Sequence, residues 1–594
     1  MARGCSNRYD RPIRNQYKPK HIMFLRSFLE SLRREVSHPR TSLQLCLLGI
    51  IAGVCAASII IVFRLSFEFI QKMLLGGVAQ YAAIESKYLF FLPVSAIICV
   101  IFVAKLTGFK HYRMGIPFVI HRIKTRYGHI PLRTSINQFF GGMFSLAGGF
   151  VVGKEGPTVH LAAAGSHFLG QWFRLPFNSL RILTGCGIAA GVAAAFNTPF
   201  AAVIFVMEVV LRQYRVHVFI PVMLAAACGS VLTRIVFGNE NELTFLNFQV
   251  IDNILLPYLV VFGIALGLLA ALFNKQLMLV ITLFRHVNMI TRLLLAAVIT
   301  GIVGYFMPQA LGAEFAAIET LFANDPQLSL LLLLFALKFV LAVFAIGLGV
   351  PGGIIGAVMI IGMLAGVILL QPLYSMSDQS EMTSTFALLG LAGMLAAVLH
   401  APMAALSSVM ELSGNSQVIL PAIVVIVSAY VTSKQLCNNR SIFIQQLEFQ
   451  NLPYTTSSIR DSLQETGVMA IMQTEFKHFV DAPKAALYKY LQSNPNQLVL
   501  QEQIFEIDRQ YQIVSMDVSL QEGVLPLAIH QMEGLSDQST MAEVYETLHK
   551  QRQGAVYIYQ ELDVDAHVFE HGKPKIIGII TWNMLHSYLF RQQH

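Results

Sequence analysis

Residues 150 to 160 read FVVGKEGPTVH, with a lysine and a glutamate side by side between glycines and a proline, inside one of the most apolar parts of the chain. Ionised side chains are costly in such a setting, and where they occur they mark function. Proline suits the first turn of a helix, where its missing N–H removes nothing, so Pro157 marks a helix start rather than an end. A helix that starts within an apolar region leaves unpaired N–H groups and about half a positive charge at that point. Glu155 would carry a carboxylate to the same place.

Three further breaks stand along the chain: MGIP (114–117), GVPGG (349–353) and NNRSIF (438–443), the last broken by polar residues. Pro117, like Pro157, reads as a helix start. Several helix amino ends converging in a low-dielectric interior make an anion site without a full positive charge, which would hold the anion too tightly for rapid release. Glu155 is then expected to compete with a permeating anion for that site. Protonation removes its charge and lets the side chain swing away, which makes it a gate. The alternative role, a charge partner for Lys154 at a helix start, is disfavoured by Gly153, Gly156 and Pro157, which leave room and interrupt the backbone.

Working outward, the 594 residues are 55% hydrophobic and only 13% charged, with a mean hydropathy of +0.59. These values exclude a water-soluble globular protein and indicate an all-α polytopic membrane protein. Apolar stretches long enough to span about 30 Å of hydrocarbon recur near 43–63, 86–104, 217–233, 254–273, 289–306 and 416–432. Roughly ten or more membrane segments are expected, several irregular. About forty polar, basic residues precede the first stretch, with no small-residue cleavage site, so it reads as a membrane helix rather than a removable signal. The net charge of +8 comes from basic residues at the ends of apolar segments, not from a stripe that would suit nucleic acid. Arg3, Arg8, Arg11, Arg14, Lys18, Lys20, Arg26, Arg33 and Arg34 place the amino end in the cytoplasm. The seven cysteines are scattered and lack CxxC spacing, so neither a disulfide framework nor a metal site is indicated. HExxH and GxSxG are absent and His400 stands alone as a packing residue, which leaves an enzyme without support.

PFAAVIFVME (199–208) and PMAALSSVME (402–411) share six of ten residues, and each follows an Ala/Gly-rich segment and a glycine-broken one. Duplicated halves with interrupted helices point to a transporter or channel whose site lies at the repeat interface near mid-membrane. If the halves are inverted, both termini lie in the cytoplasm. The expected organisation is a basic amino end (1–40), a membrane domain (41–445, halves roughly 41–240 and 250–445) and a linker with a soluble tail (446–594). In the tail, STMAEVYETLHKQ has a capping box (Thr540, Glu543), and AVYIY and KIIGIITWNML read as strand and strand-to-helix. DAPKAALYKYL followed by QLVL is a weaker copy of the unit. This order resembles the tandem CBS domain, a cytosolic module that often binds adenine nucleotides. Asn583 stands where nucleotide-binding members usually carry Asp, which speaks for a packing module without a ligand.

GKEGP, MGIP in place of GSGIP, GGIIGAV in place of GGIFAPS, and SIF at a helix start resemble the CLC family of chloride channels and proton-coupled chloride transporters, over nearly the whole chain. The resemblance implies a homodimer with one anion pathway per subunit and Glu155 as gate. It places the anion contacts at Met114, Gly115, Ile116, Gly153, Lys154, Gly156, Ile354, Ile355 and Phe443, with no cofactor besides the bound chloride or similar anion. Three departures accompany it. Met114 replaces the pore serine, as in the fluoride-exporting branch, and Phe443 replaces a tyrosine; both remove hydroxyl donors and leave the anion to backbone N–H groups. Val209 stands where proton-coupled members carry a second glutamate. Glu208 is the candidate substitute relay, but Glu208 and Glu411 sit at the same place in both repeats, as structural helix-end residues would. Lys338 is expected to partner a glutamate or carbonyl. The expected function is therefore channel-like passive anion conduction gated by Glu155 and modulated by the tail, in the inner membrane of a bacterium. The alternatives are a proton-coupled chloride or fluoride antiporter and a sodium-coupled carboxylate or amino-acid symporter.

Overall fold

The computed structural model describes residues 29–592, apart from 110–114, 239–242, 244–245, 247, 250, 323–326, 374–381, 455–457, 506–507, 517–525, 551 and 561–574. Met114 and the basic residues from Arg3 to Arg26 lie outside the described residues.

Among the described residues, sixteen α-helices between Leu43 and Val431 fall into two sets of eight in the same order. The first set is α1 (Leu43–Leu75), α2 (Ser86–Leu106), α3 (Ile116–Arg126), α4 (Leu132–Ala147), α5 (Glu155–Trp172), α6 (Phe177–Phe196), α7 (Pro199–Phe205, continued by a π-helical turn to Leu211) and α8 (Val216–Phe237). The second is α9 (Leu256–Leu283), α10 (Met289–Phe306), α11 (Phe315–Phe322), α12 (Leu328–Leu348), α13 (Ile355–Leu370), α14 (Thr383–Leu399), α15 (Pro402–Ser413) and α16 (Ile419–Val431, continued by a π-helical turn to Leu436). The matched decapeptides form α7 and α15. Each is entered through a left-handed residue, Asn197 at φ 56° or His400 at φ 58°, and begins on a proline. His400 thus turns the chain, and its ring lies edge-on to Tyr430 at 5.4 Å.

Among the described residues, nine helices are long and apolar enough to cross a membrane, and Pro199–Leu211 and Thr383–Leu399 are shorter apolar ones. The chain is a multi-pass membrane protein. Large apolar side chains on the outer helices, such as Phe91, Phe102, Val261, Leu268 and Phe306, are exposed where a bilayer would meet them. The inner helices α13 and α14 meet backbone to backbone. A Cβ on Gly366 would lie 2.1 Å from the Phe386 carbonyl oxygen, and one on Gly390 would lie 2.2 Å from that of Gly362. Such close approach through small residues holds helices together where lipid offers no hydrophobic drive. Lys338, 1% exposed, donates from Nζ to the carbonyls of Ala310, Leu311 and Gly312 at 3.3, 3.1 and 2.9 Å. It is the carbonyl partner expected of it, capping the turn at Pro308–Ala310.

After α17 (Ile442–Phe449) and α18 (Ser458–Leu463) the tail holds two similar units. β1 (Phe476–Val480), α19 (Lys484–Ser493), β2 (Leu498–Phe505) and β3 (Asp508–Met516) are followed by β4 (Leu527–Gln531) in a sheet of order β1-β2-β3-β4. β5 (Glu533–Ser536), α20 (Met541–Leu548), β6 (Ala555–Gln560) and β7 (Lys575–Thr581) precede α21 (Trp582–Gln592). In each unit the first strand pair is parallel and the second antiparallel, so the weaker copy shares the topology. Thr540 and Glu543 form the expected capping box on α20. The tail docks directly on the helices. Phe177 N donates to Gln538 O at 2.8 Å, Lys124 pairs with Asp461 at 3.3 Å, Arg215 pairs with Glu465, and the Tyr127 hydroxyl donates to Glu543. Burial holds the Glu465 carboxyl above the usual carboxylate range, against the pull of Arg215 and Arg181.

Candidate functional site

The broken stretches create the site by bringing helix starts together. Gly153 and Gly353 pair as a two-residue antiparallel bridge, Gly153 N to Gly353 O at 2.8 Å and Gly353 N to Gly153 O at 2.6 Å. GKEGP and GVPGG, one from each repeat, are therefore joined at their breaks, and α5 and α13 start from the joint. Gly115, at φ 94° and ψ −152°, has a conformation open essentially to glycine alone. It starts α3 with Pro117 in the first turn. A Cβ on Gly115 would lie 3.9 Å from Gly352 O and 4.0 Å from Gly156 Cα. The amino ends of α3 and α5 thus face each other across the 349–353 turn.

Glu155, 2% exposed, lays its carboxylate over the glycines of this joint. A Cβ on Gly153 would lie 1.9 Å from its Oε2, one on Gly353 2.5 Å from the same atom, and one on Gly356 3.0 Å from Oε1. The missing Cβ atoms of these glycines leave the room that the carboxylate occupies between the starts of α5 and α13. On one side, Gly115, Ile116, Gly156, Gly352, Ile354 and Phe443 line a cavity. On the other, Glu155 lines a second cavity with Gly153, Lys154, Arg64 and Glu314. Ile355 lines a third space beside Glu155. The expected anion contacts therefore separate into three groups: Gly115, Ile116, Gly156, Ile354 and Phe443 at the first cavity, Gly153 and Lys154 at the second, and Ile355 at the third, with Glu155 lining the last two. Lys154 holds its ammonium 4.5 Å over the Phe196 ring.

The repeat glutamates are exchanged caps. Glu208 accepts from Met403 N and Ala404 N at 3.3 and 2.7 Å, and Glu411 accepts from Phe200 N and Ala201 N at 3.1 and 2.8 Å. Each carboxylate closes the amino end of the other half's helix, where it meets both unpaired N–H groups and the helix dipole. Val209 is packed in the apolar core, and Asn583 is exposed on α21.

Two polar residues at these cavities escaped the sequence reading. Glu314 accepts from Gln71 Nε2 at 2.9 Å and from Ala313 N at 3.1 Å; its signal was a lone acid in LGAEF (311–315). Gln138, on α4, lines the first cavity, and its signal was an amide in the apolar run INQFFGG (136–142).

The family described as "Voltage gated chloride channel" matches residues 94–434, more than half of the chain. The chain is 28% identical over 430 residues to "H(+)/Cl(-) exchange transporter ClcA" of Klebsiella pneumoniae (strain 342), covering 68% of this chain and 89% of that protein. It is 29% identical over 327 residues to the protein of the same description from Vibrio campbellii (strain ATCC BAA-1116), covering 52% and 68%. Among solved structures, it is similar to a slow cyanobacterial Cl−/H+ antiporter (TM-score 0.60, 22% identity, 70% of this chain and 98% of that one). It is also similar to a CLC-type fluoride/proton antiporter (0.58, 25%, 68% and 97%). A eukaryotic CLC transporter shares the fold over 94% of this chain and 98% of its own, the tail included (0.58, 20%). Glycine-broken helix starts joined across two repeats, a carboxylate laid over the joint and a matching family profile over more than half the length lead to one assignment: this chain belongs to the CLC family of voltage gated chloride channels.

Proposed function

We propose that the protein carries chloride or a similar small anion across the membrane in exchange for protons, with Glu155 as both gate and proton carrier. The observation that carries this reading is the exchange activity named for its ClcA relatives, matched over 89% of the length of one of them, together with antiporters among its structural relatives. Passive conduction is the second reading, favoured by Val209 at the position of the relay glutamate. In either case the anion is held by N–H groups at Gly115, Ile116, Gly156, Ile354 and Ile355, with Phe443 as an apolar wall. Gly153 and Lys154 face the approach on the far side of Glu155. Glu208 acts as a cap, not as a relay.

The same reading takes the chain as a homodimer in a bacterial inner membrane, with a membrane domain ending near 445. The tail is then a CBS-like pair on the cytoplasmic side that packs without nucleotide. In reconstituted liposomes, an imposed chloride gradient should drive protons uphill, which a passive pore cannot do. Glu155→Gln should give pH-insensitive anion flux with no proton movement. Retained pH dependence in that variant would remove Glu155 from the mechanism, and chloride flux without proton transport in the native protein would leave the passive reading.

A further inference from the structure

The amide of Gln138 stands at the cavity where three helix starts meet, and it is unspent. Gln138 is 2% exposed and lines the same cavity as Gly115, Ile116, Gly156, Gly352 and Phe443. A Cβ on Gly115 would lie 4.0 Å from Gln138 Nε2, as near as it would lie to Gly156 Cα. The amide nitrogen therefore reaches the place where the amino ends of α3 and α5 face each other. Its Oε1 is buried without a hydrogen-bond partner. The preceding residue on α4, Asn137, is tied down by Nδ2 bonds to Thr107 Oγ1 at 2.6 Å and Arg133 O at 2.8 Å.

The orphaned Oε1 is an acceptor that an anion does not complete; it is the Nε2 donor, left without an acceptor among the described residues beside the cavity, that an anion would satisfy. Glutamine offers two N–H donors, and Nε2 is the end that reaches toward Gly115 at the cavity. Phe443, which lines the same cavity, offers no side-chain donor. We propose that Gln138 supplies the side-chain hydrogen bond to the anion in this pathway, adding an N–H donor to the backbone groups at the starts of α3 and α5. The ligand class is a small, partly dehydrated monovalent anion such as chloride. A neutral donor suits transport because it holds the anion without the full charge that would slow its release.

This inference rests on the cavity being the anion pathway. The test is isothermal titration of chloride into purified, chloride-depleted protein in detergent, paired with chloride flux in liposomes. Gln138→Met keeps the length and apolar stem but removes the donor, and it should weaken chloride binding about ten-fold, as expected for a lost hydrogen bond to a charged group. Gln138→Lys should do the opposite, tightening binding while slowing turnover, a pair of changes that a role in packing would not produce. Native-like affinity in both variants, within about two-fold, overturns the proposal; if Gln138→Met fails to fold, native-like affinity and turnover in Gln138→Lys overturn it alone. Absence of saturable chloride binding in the native protein would instead defeat the functional reading of the site, and this inference with it.

Discussion

Replacing Glu208 and Glu411 one at a time by glutamine separates a cap from a proton relay. Each carboxylate accepts two backbone N–H groups, at 2.7 and 3.3 Å for Glu208 and at 2.8 and 3.1 Å for Glu411. A hydrogen bond to a charged group contributes about 1.5 to 3 kcal/mol, and a negative charge at a helix amino end adds roughly 0.3 to 1 kcal/mol. Glutamine keeps one acceptor but turns an NH2 toward the second N–H, so it loses one bond and the dipole term, about 2 to 4 kcal/mol in all. Because the two caps are exchanged between equivalent halves, the losses should be alike. Thermal unfolding of detergent-solubilised protein, followed by the loss of monodisperse material, should show Glu208→Gln and Glu411→Gln destabilised to similar extents. Both should retain the native ratio of anion to proton flux in liposomes. A relay at Glu208 makes the reverse forecast: Glu208→Gln loses proton coupling with stability unchanged, while Glu411→Gln does nothing to coupling. That pattern would refute the capping argument.

Lys338→Met should destabilise the protein by roughly 3 kcal/mol or more, the scale for removing a buried charge from its partners, because three carbonyls at 310–312 lose their donor; lower yield and an earlier melt would show it. Gly390→Val should abolish folded expression, since even a Cβ there would lie 2.2 Å from the Gly362 carbonyl oxygen, and normal expression would count against the backbone contact. Arg215→Ala should loosen the tail, because Glu465 keeps only Arg181 among the cations that offset its burial. A carboxyl whose value is raised on docking binds more protons docked than free, so docking is favoured at low pH and weakens as pH rises through the docked value. In this variant that value moves up further, and proteolysis within 451–467, normalised to a denatured substrate, should be faster than for the native protein at pH 7 and closer to it at pH 5.

Much of the architecture could be read in the amino acids because the membrane limits the alternatives. Apolar length located the spanning helices, and proline after glycine located the starts of α3 and α5. The decapeptide match located the repeat, since an inverted duplication must bury equivalent helices against each other. What could not be read was which group meets which. Glu208 and Glu411 appeared as helix-end residues, yet nothing in ten-residue similarity tells that each caps the other half instead of its own. Gln138 could not be told from Asn137 beside it, because an amide in an apolar run looks the same whether it is satisfied by a neighbouring carbonyl or left open to a cavity. That difference depends on how α4 is turned, which is a property of packing.

The same contrast bears on how such a site keeps its ligand while its side chains change. The Gly153 to Gly353 bridge sets the distance between two helix starts through backbone atoms alone, so the field at the joint does not depend on the side chain at 443. Side chains then adjust that field by single hydrogen bonds, each about a factor of ten in affinity. A hydroxyl lost from one helix start can accordingly be replaced by an amide from a different helix, provided that its nitrogen reaches the same point. The Glu155 carboxylate has less freedom. As placed, it lies where a Cβ on Gly153, Gly353 or Gly356 would come within 3.0 Å of it, so its present position depends on glycines from both halves.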